Sequence, residues 1–224
     1  NRNKMYTKLG DDYFYDKSSY EIDETIGFGL SDKSFVKQSV QKLKELEKEK
    51  GKFYATLITL SNHTPFEDVD KYGEYDVSMS VDGVRYDYME NTKLGNYFKS
   101  SHYADAQIGL LIEELKKENM LDNTVIIIYG DHDARIEKSE WNRFYNYDYK
   151  TSSIKSSDDE SYVDIDYYFY EINKKVPFII WSNDEKFKTT LSKEIKEVGG
   201  MIDVGPTIMN LLGIHNKSFP KKYL

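Results

Sequence analysis

Apolar positions along this chain change their period several times, and each change predicts an element. In "SFVKQSVQKLKELEKE", residues 34–49, Phe35, Val36, Val40, Leu43 and Leu46 fall on one stripe at helical spacing. Ser31 or Asp32 stands where an N-cap belongs, and Gly51 where the helix should stop. The next apolar run, "FYATLITL" at 53–60, is too short for a core helix and rich in strand formers, so it predicts a strand. The longest helical pattern covers 96–118, with Ala104, Ile108, Leu111, Ile112 and Leu115 in register. "DNT" then turns the chain into "VIIIY", 125–129, which is apolar on both faces, as strands of covered parallel sheets are. "VPFIIW" at 176–181 resembles it. Helices over about 184–197 and 206–212 complete the pattern, with Pro206 near the first turn of the second and Gly213 after its end.

Strands and helices in this order predict an α/β domain whose mainly parallel sheet is covered by helices on both faces. Between 135 and 175 the rhythm breaks into a tyrosine-rich, acidic stretch that reads as an insertion. Such a stretch is either a surface excursion, here with a small hairpin in the alternating "YVDIDYYFYEI", or a functional rim.

Composition narrows the classes. The 224 residues suffice for one large domain or two small ones, and 39% hydrophobic with 31% charged is a soluble, globular balance. A formal net charge of −8 argues against a broad grip on nucleic acid or on an anionic membrane surface, although a local phosphate site needs only a cation or a few basic groups. The lack of cysteine excludes disulfides, zinc–thiolate sites and a thiol nucleophile. No apolar run approaches a membrane span, and the chain begins at Asn1 without methionine. The expectation is a piece of a longer protein whose targeting signals lie upstream.

In open parallel sheets, ligands gather at the carboxyl ends of strands. Asn62 and His63 follow the run at 53–60, and Asp131 and His132 follow the run at 125–129. Gly130 lets the backbone leave the strand, so that adjacent side chains can converge. A carboxylate and a neutral imidazole suit a divalent ion such as Mn²⁺ or Zn²⁺, but two donors are too few for a tight site. The same dipeptide also fits a solvated turn. His63 by itself reads as a structural histidine before Thr64-Pro65, His102 as a helix residue, and His215 carries no signal.

Taken together, "GLSDKSFVKQS", "ITLSNHTPF", "SSHYAD", "LDNTVIIIYGDHD" and "GGMIDVGPTIMNLLGI" resemble the extracellular catalytic domain of the lipoteichoic acid synthase family, a sulfatase-like branch of the alkaline phosphatase superfamily. The opening "NR" resembles the end of that family's phenylalanine-tryptophan-asparagine-arginine block. The resemblance implies that residues 1–224 are the C-terminal portion of one sulfatase-like domain, incomplete at its N-terminal side, with the insertion at about 135–175. It implies metal-binding roles for Asp131 and His132 toward one divalent ion, Mn²⁺ first and Mg²⁺ or Zn²⁺ as alternatives. It likewise implies that His63 contacts phosphoglycerol and that Arg2 binds its phosphate. The family's threonine nucleophile and its glutamate ligand fall upstream, so no catalytic nucleophile is expected here and the chain alone is expected to be inactive.

The implied activity is transfer of phosphoglycerol from phosphatidylglycerol to a glycerol-phosphate polymer of the cell envelope. The implied setting is the outer face of a bacterial membrane, with anchoring by upstream spans or release by proteolysis, and no nucleic-acid partner. "GDHDA" departs from the family's "GDHNG", which with the insertion suggests a subgroup of different acceptor specificity. Two other readings stay open: a sulfatase or phosphodiesterase of the same fold, with a different residue in the upstream nucleophile position, and a non-catalytic extracellular domain that binds a glycopolymer.

Overall fold

A computed structural model describes residues 2–172, 174–191 and 193–214; His215 lies outside them. Helix α1 (Arg2–Leu9) leads by way of the short hairpin β1 (Thr25–Ile26) and β2 (Gly29–Leu30) into α2 (Asp32–Lys50). Of the two cap candidates, Ser31 is the one used. Its side chain accepts a hydrogen bond from the Ser34 amide, while Gly51, with φ 74°, ends the helix and donates to the Glu47 carbonyl. A second hairpin, β3 (Met79–Val81) with β4 (Val84–Tyr86), precedes α3 (Lys93–Lys117). This helix starts ahead of its apolar stripe because Thr92 caps the Gly95 amide. The apolar run at 125–129 forms β5 (Val125–Tyr129) as expected.

The stretch read as an insertion holds α4 (Lys138–Asn146), a hairpin of β6 (Tyr147–Asp148) with β7 (Ser153–Ile154), and α5 (Tyr167–Ile172). It is followed by β8 (Phe178–Ser182), α6 (Glu185–Leu191) and α7 (Val204–Leu211). No helix among the described residues is long and apolar enough to cross a membrane.

The described residues fall into two compact units, one drawn from Asn1–Thr124 and His132–Lys175, the other from Val125–Asp131 and Val176–Leu224. In the first, α2 and α3 pack together, and a core forms from Phe66, Val77, Met89, Leu94 and Ile136. Trp141 and Phe144 of α4 pack against that core, so the first part of the tyrosine-rich stretch is integrated, while residues 150–154 and 156–161 are exposed. Rings lock that first part down: Phe98 meets Phe144 edge-on at 5.7 Å, and Tyr88 stacks on Tyr147 at 5.0 Å. The alternating segment at 162–172 is not a hairpin either. Asp166 accepts a hydrogen bond from the Phe169 amide, which starts the helical turn of α5 where alternation alone predicted a strand.

The second unit holds a two-stranded ladder. β5 pairs antiparallel with β8, Val125 opposite Ser182 and Tyr129 opposite Phe178, and every ladder among the described residues is antiparallel. A run that is apolar on both faces reports burial and not direction, and α/β sheets can carry antiparallel strands. Residues 53–60 form no ladder, because strand propensity without a neighbouring strand leaves backbone groups with nothing to pair. Gly130 ends β5 for a reason beyond release of the backbone: a Cβ there would lie 2.9 Å from the Val176 side chain.

Candidate functional site

The loop carrying His63 is fixed from three sides. Asp32, at the first position of α2 and 1% exposed, accepts hydrogen bonds on Oδ1 from the amides of Leu60 (2.9 Å) and Ser61 (3.1 Å). The Ser61 hydroxyl accepts one in return from the Asp32 amide at 2.9 Å. Asn62 is tied to α3 by the Ser100 hydroxyl, which donates to its Oδ1 at 2.6 Å. Phe66 plunges into the core at 1% exposure although its φ of 61° lies in the left-handed region. A bulky residue holds that conformation at a cost of order 1–3 kcal/mol, and burial of its ring offsets the strain.

Among the described residues, Asp32 Oδ2 has no hydrogen-bond partner. Burial therefore pushes the Asp32 carboxyl above the ordinary aspartate range, against the downward pull of the Leu60 and Ser61 amides and the Ser61 hydroxyl.

His63 and His132 come together, their rings perpendicular with centroids 5.7 Å apart. His63 is half-buried and His132 exposed. In each ring Nδ1 lies 2.7 Å from the carbonyl oxygen of the following residue, Thr64 for His63 and Asp133 for His132. A carbonyl only accepts, so Nδ1 carries a proton in both rings, and the neutral tautomer consistent with that bond has its lone pair on Nε2. That tautomer suits a histidine that ligates a cation or takes a proton through Nε2. Phe28, at the tip of the β1–β2 hairpin, also meets the His63 ring edge-on, at 5.1 Å.

The remaining expected residues stand differently. Arg2 is exposed at the start of α1, and no hydrogen bond or ion pair among the described residues joins it to either histidine. Asp131 is exposed and belongs to the unit that contains β5, although it adjoins His132 in the chain. Among the described residues, no three His, Asp or Glu side chains gather into a set able to hold a metal ion. Taken singly, the exposed Asp131 carboxylate and the His132 imidazole are donor types that a divalent ion accepts.

The sequence model of the sulfatase family matches residues 1–214. The chain belongs to the sulfatase family. Within that family it is 32% identical over 221 residues to lipoteichoic acid synthase 2 of Bacillus subtilis, covering 98% of this chain and 29% of that protein. Identity to the lipoteichoic acid synthase of Staphylococcus aureus is 29%, again over 98% of this chain and 29% of the relative. The crystal structure of the lipoteichoic acid synthase LtaP from Listeria monocytogenes superposes with a TM-score of 0.68 at 33% identity, covering 97% of this chain and 47% of that one. A protein of the alkaline phosphatase superfamily from Vibrio parahaemolyticus shares the fold, with a TM-score of 0.53 at 20% identity over 90% of this chain and 38% of that one. The sulfatase-family chain therefore has the alkaline phosphatase-like α/β fold, and it spans about three tenths of the length of the curated relatives it matches.

Two residues of this site escape a reading of the sequence. Asp32 looks like a cap candidate, and Phe28 like one more apolar residue between two glycines. The "GFG" tripeptide was the available signal: a glycine-flanked aromatic suits a hairpin tip, where a large apolar side chain has no core to enter.

Proposed function

We propose that this chain is the C-terminal portion of a sulfatase-like catalytic domain that transfers phosphoglycerol from phosphatidylglycerol to a glycerol-phosphate polymer of the bacterial envelope. The observation that carries the reading is the His63–His132 pair, with matched tautomers, in a chain similar over nearly its whole length to lipoteichoic acid synthases.

Phosphoryl transfer of this kind needs charge on the phosphoryl oxygens neutralised and a hydroxyl nucleophile activated. Asp131 and His132 would hold part of the coordination shell of one divalent ion, of which Mn²⁺ is the favoured identity. When bound, the ion supplies Lewis acidity and a lowered pKa for a coordinated hydroxyl. His63 Nε2 accepts a proton from a hydroxyl or, once protonated, donates to a phosphate oxygen. Arg2 clamps phosphate through its planar fork. A threonine upstream of Asn1 attacks the phosphodiester, diacylglycerol leaves, and the phosphoglycerol passes to the polymer's terminal hydroxyl. The setting is the outer face of the membrane.

Phosphatidylglycerol turnover tests the reading. The full-length protein should release diacylglycerol, His63→Ala and His132→Ala should each lower the rate by at least about 100-fold, and the 224-residue chain alone should show none. Robust turnover by the chain alone would overturn the placement of the nucleophile. A full-length protein that cleaves sulfate esters and spares phosphatidylglycerol would overturn the substrate.

A further inference from the structure

We infer that Phe28 is a substrate-contacting specificity residue, whose ring packs against the carbon skeleton of the alcohol esterified to the phosphate. The inference rests on His63 contacting that phosphate. Phe28 is 67% exposed, and its ring meets the His63 ring at 5.1 Å and 74°. A large apolar side chain gains nothing from water, and this one stands on rigid support.

Residues Gly27 and Phe28 form the two-residue turn between Ile26 and Gly29, which pair across the hairpin. Gly27 adopts the positive φ, 59°, that the first position of such a tight turn requires. Its amide donates to Asp68 Oδ2 at 2.5 Å, and Lys71 Nζ donates to the Thr25 carbonyl at 2.9 Å. Ile26 and Leu30 anchor the two strands at 1% and 8% exposure. The hairpin also packs flush against the segment leading to His63, since a Cβ on Gly29 would lie 3.0 Å from Leu60 Cδ1. The backbone beneath Phe28 and the backbone beneath His63 are thus mutually fixed, which sets an apolar ring beside a polar one.

A phosphate monoester of a short polyol matches that pair: phosphate oxygens for His63, C–H groups for Phe28. Inorganic phosphate offers only the first. The site should therefore prefer glycerol 1-phosphate over inorganic phosphate, and the preference should depend on Phe28.

The test titrates both compounds into the full-length protein labelled with ¹⁵N-histidine and follows the His63 ring signals. In the unsubstituted protein both ligands should move those signals, glycerol 1-phosphate at roughly tenfold lower concentration. Phe28→Ala, a surface change that should leave stability within about 0.5 kcal/mol, should bring the two midpoints together, and Phe28→Leu should retain part of the gap. Equal midpoints without substitution, or a gap that survives Phe28→Ala, overturn the role of Phe28 and leave the His63 reading standing. If neither ligand moves the His63 signals, the His63 reading falls and the inference falls with it.

Discussion

The loops around His63 and His132 share a local design and differ in what holds them. In both, Nδ1 bonds the next residue's carbonyl at 2.7 Å, and in both the residue three positions on, Phe66 or Arg135, has a positive φ of 61° or 53°. The first loop is held from within the protein, by the buried Asp32 carboxylate and the buried Phe66 ring. The second also enters the core, through Ile136 at 4% exposure, but its turn is tied by polar contacts nearer the surface. Asp133 Oδ2 accepts from the Arg135 amide at 2.9 Å, and Lys93 Nζ bridges the Arg135 carbonyl (2.9 Å) and the Glu137 carboxylate (2.7 Å). The two turns therefore differ at the positive-φ residue itself, which is a buried ring in the first loop and an exposed side chain in the second.

Truncation should separate the two most strongly. Phe66→Ala should lower stability by about 3–5 kcal/mol, whereas Arg135→Ala, whose side chain is exposed, should change it by no more than about 0.5 kcal/mol. Equal shifts in denaturant midpoint would erase the distinction. A smaller effect is expected from Asp32→Ala, which strips the buried Ser61 amide of its acceptor at about 1–3 kcal/mol and the Leu60 amide, on a more exposed residue, at less. Asp32→Asn keeps Oδ1 and should recover most of that loss, with amide exchange at Leu60 and Ser61 returning toward the original rate. If both variants behave alike, Asp32 is not the clamp.

The smallest effect is in pH dependence, where the two loops should respond in opposite directions. The Asp32 carboxyl is raised by burial, so the folded state holds its proton more tightly than the unfolded state. Its contribution to stability is greatest at low pH and declines as pH rises from about the ordinary aspartate value of 3.8. The Glu137 carboxyl is lowered, chiefly by the Lys93 hydrogen bond. Its contribution is present above the ordinary glutamate value of 4.5 and disappears as pH falls through the lowered one. Relative to the unsubstituted chain, Asp32→Asn should gain stability with rising pH and Glu137→Gln should lose it, the latter by under about 1 kcal/mol and less in high salt. Melting curves from pH 3 to 7 that shift both variants the same way would break the comparison.

The helices were legible where stripe and cap agree, as in α2, whose apolar face, Ser31 cap and Gly51 stop all point one way. Strand direction was not, because "VIIIY" reads the same in a parallel or an antiparallel ladder. The aromatic packing of α4 was hidden as well: Trp141 and Phe144 look like surface aromatics until the core that receives them is assembled. In the candidate site, His132 could be found from its place after an apolar run and His63 from the family resemblance of "ITLSNHTPF", and the structure brings their rings together. Phe28 and Asp32 could not, since their significance depends on neighbours 35 and 29 residues away, respectively. No local pattern encodes such pairs.

The bonds between Asp32 and Ser61 have a topological consequence. They cinch the chain into a closed lobe that holds all of α2 and the segment after it, so its two ends meet regardless of the path between them. Residues Gly51 and Lys52, at the exposed far end of that lobe, are where chain length can vary without the change reaching His63. A linker, tag or small domain grafted there would leave the histidine where it is, which makes the turn after α2 a practical port for labelling or tethering the protein.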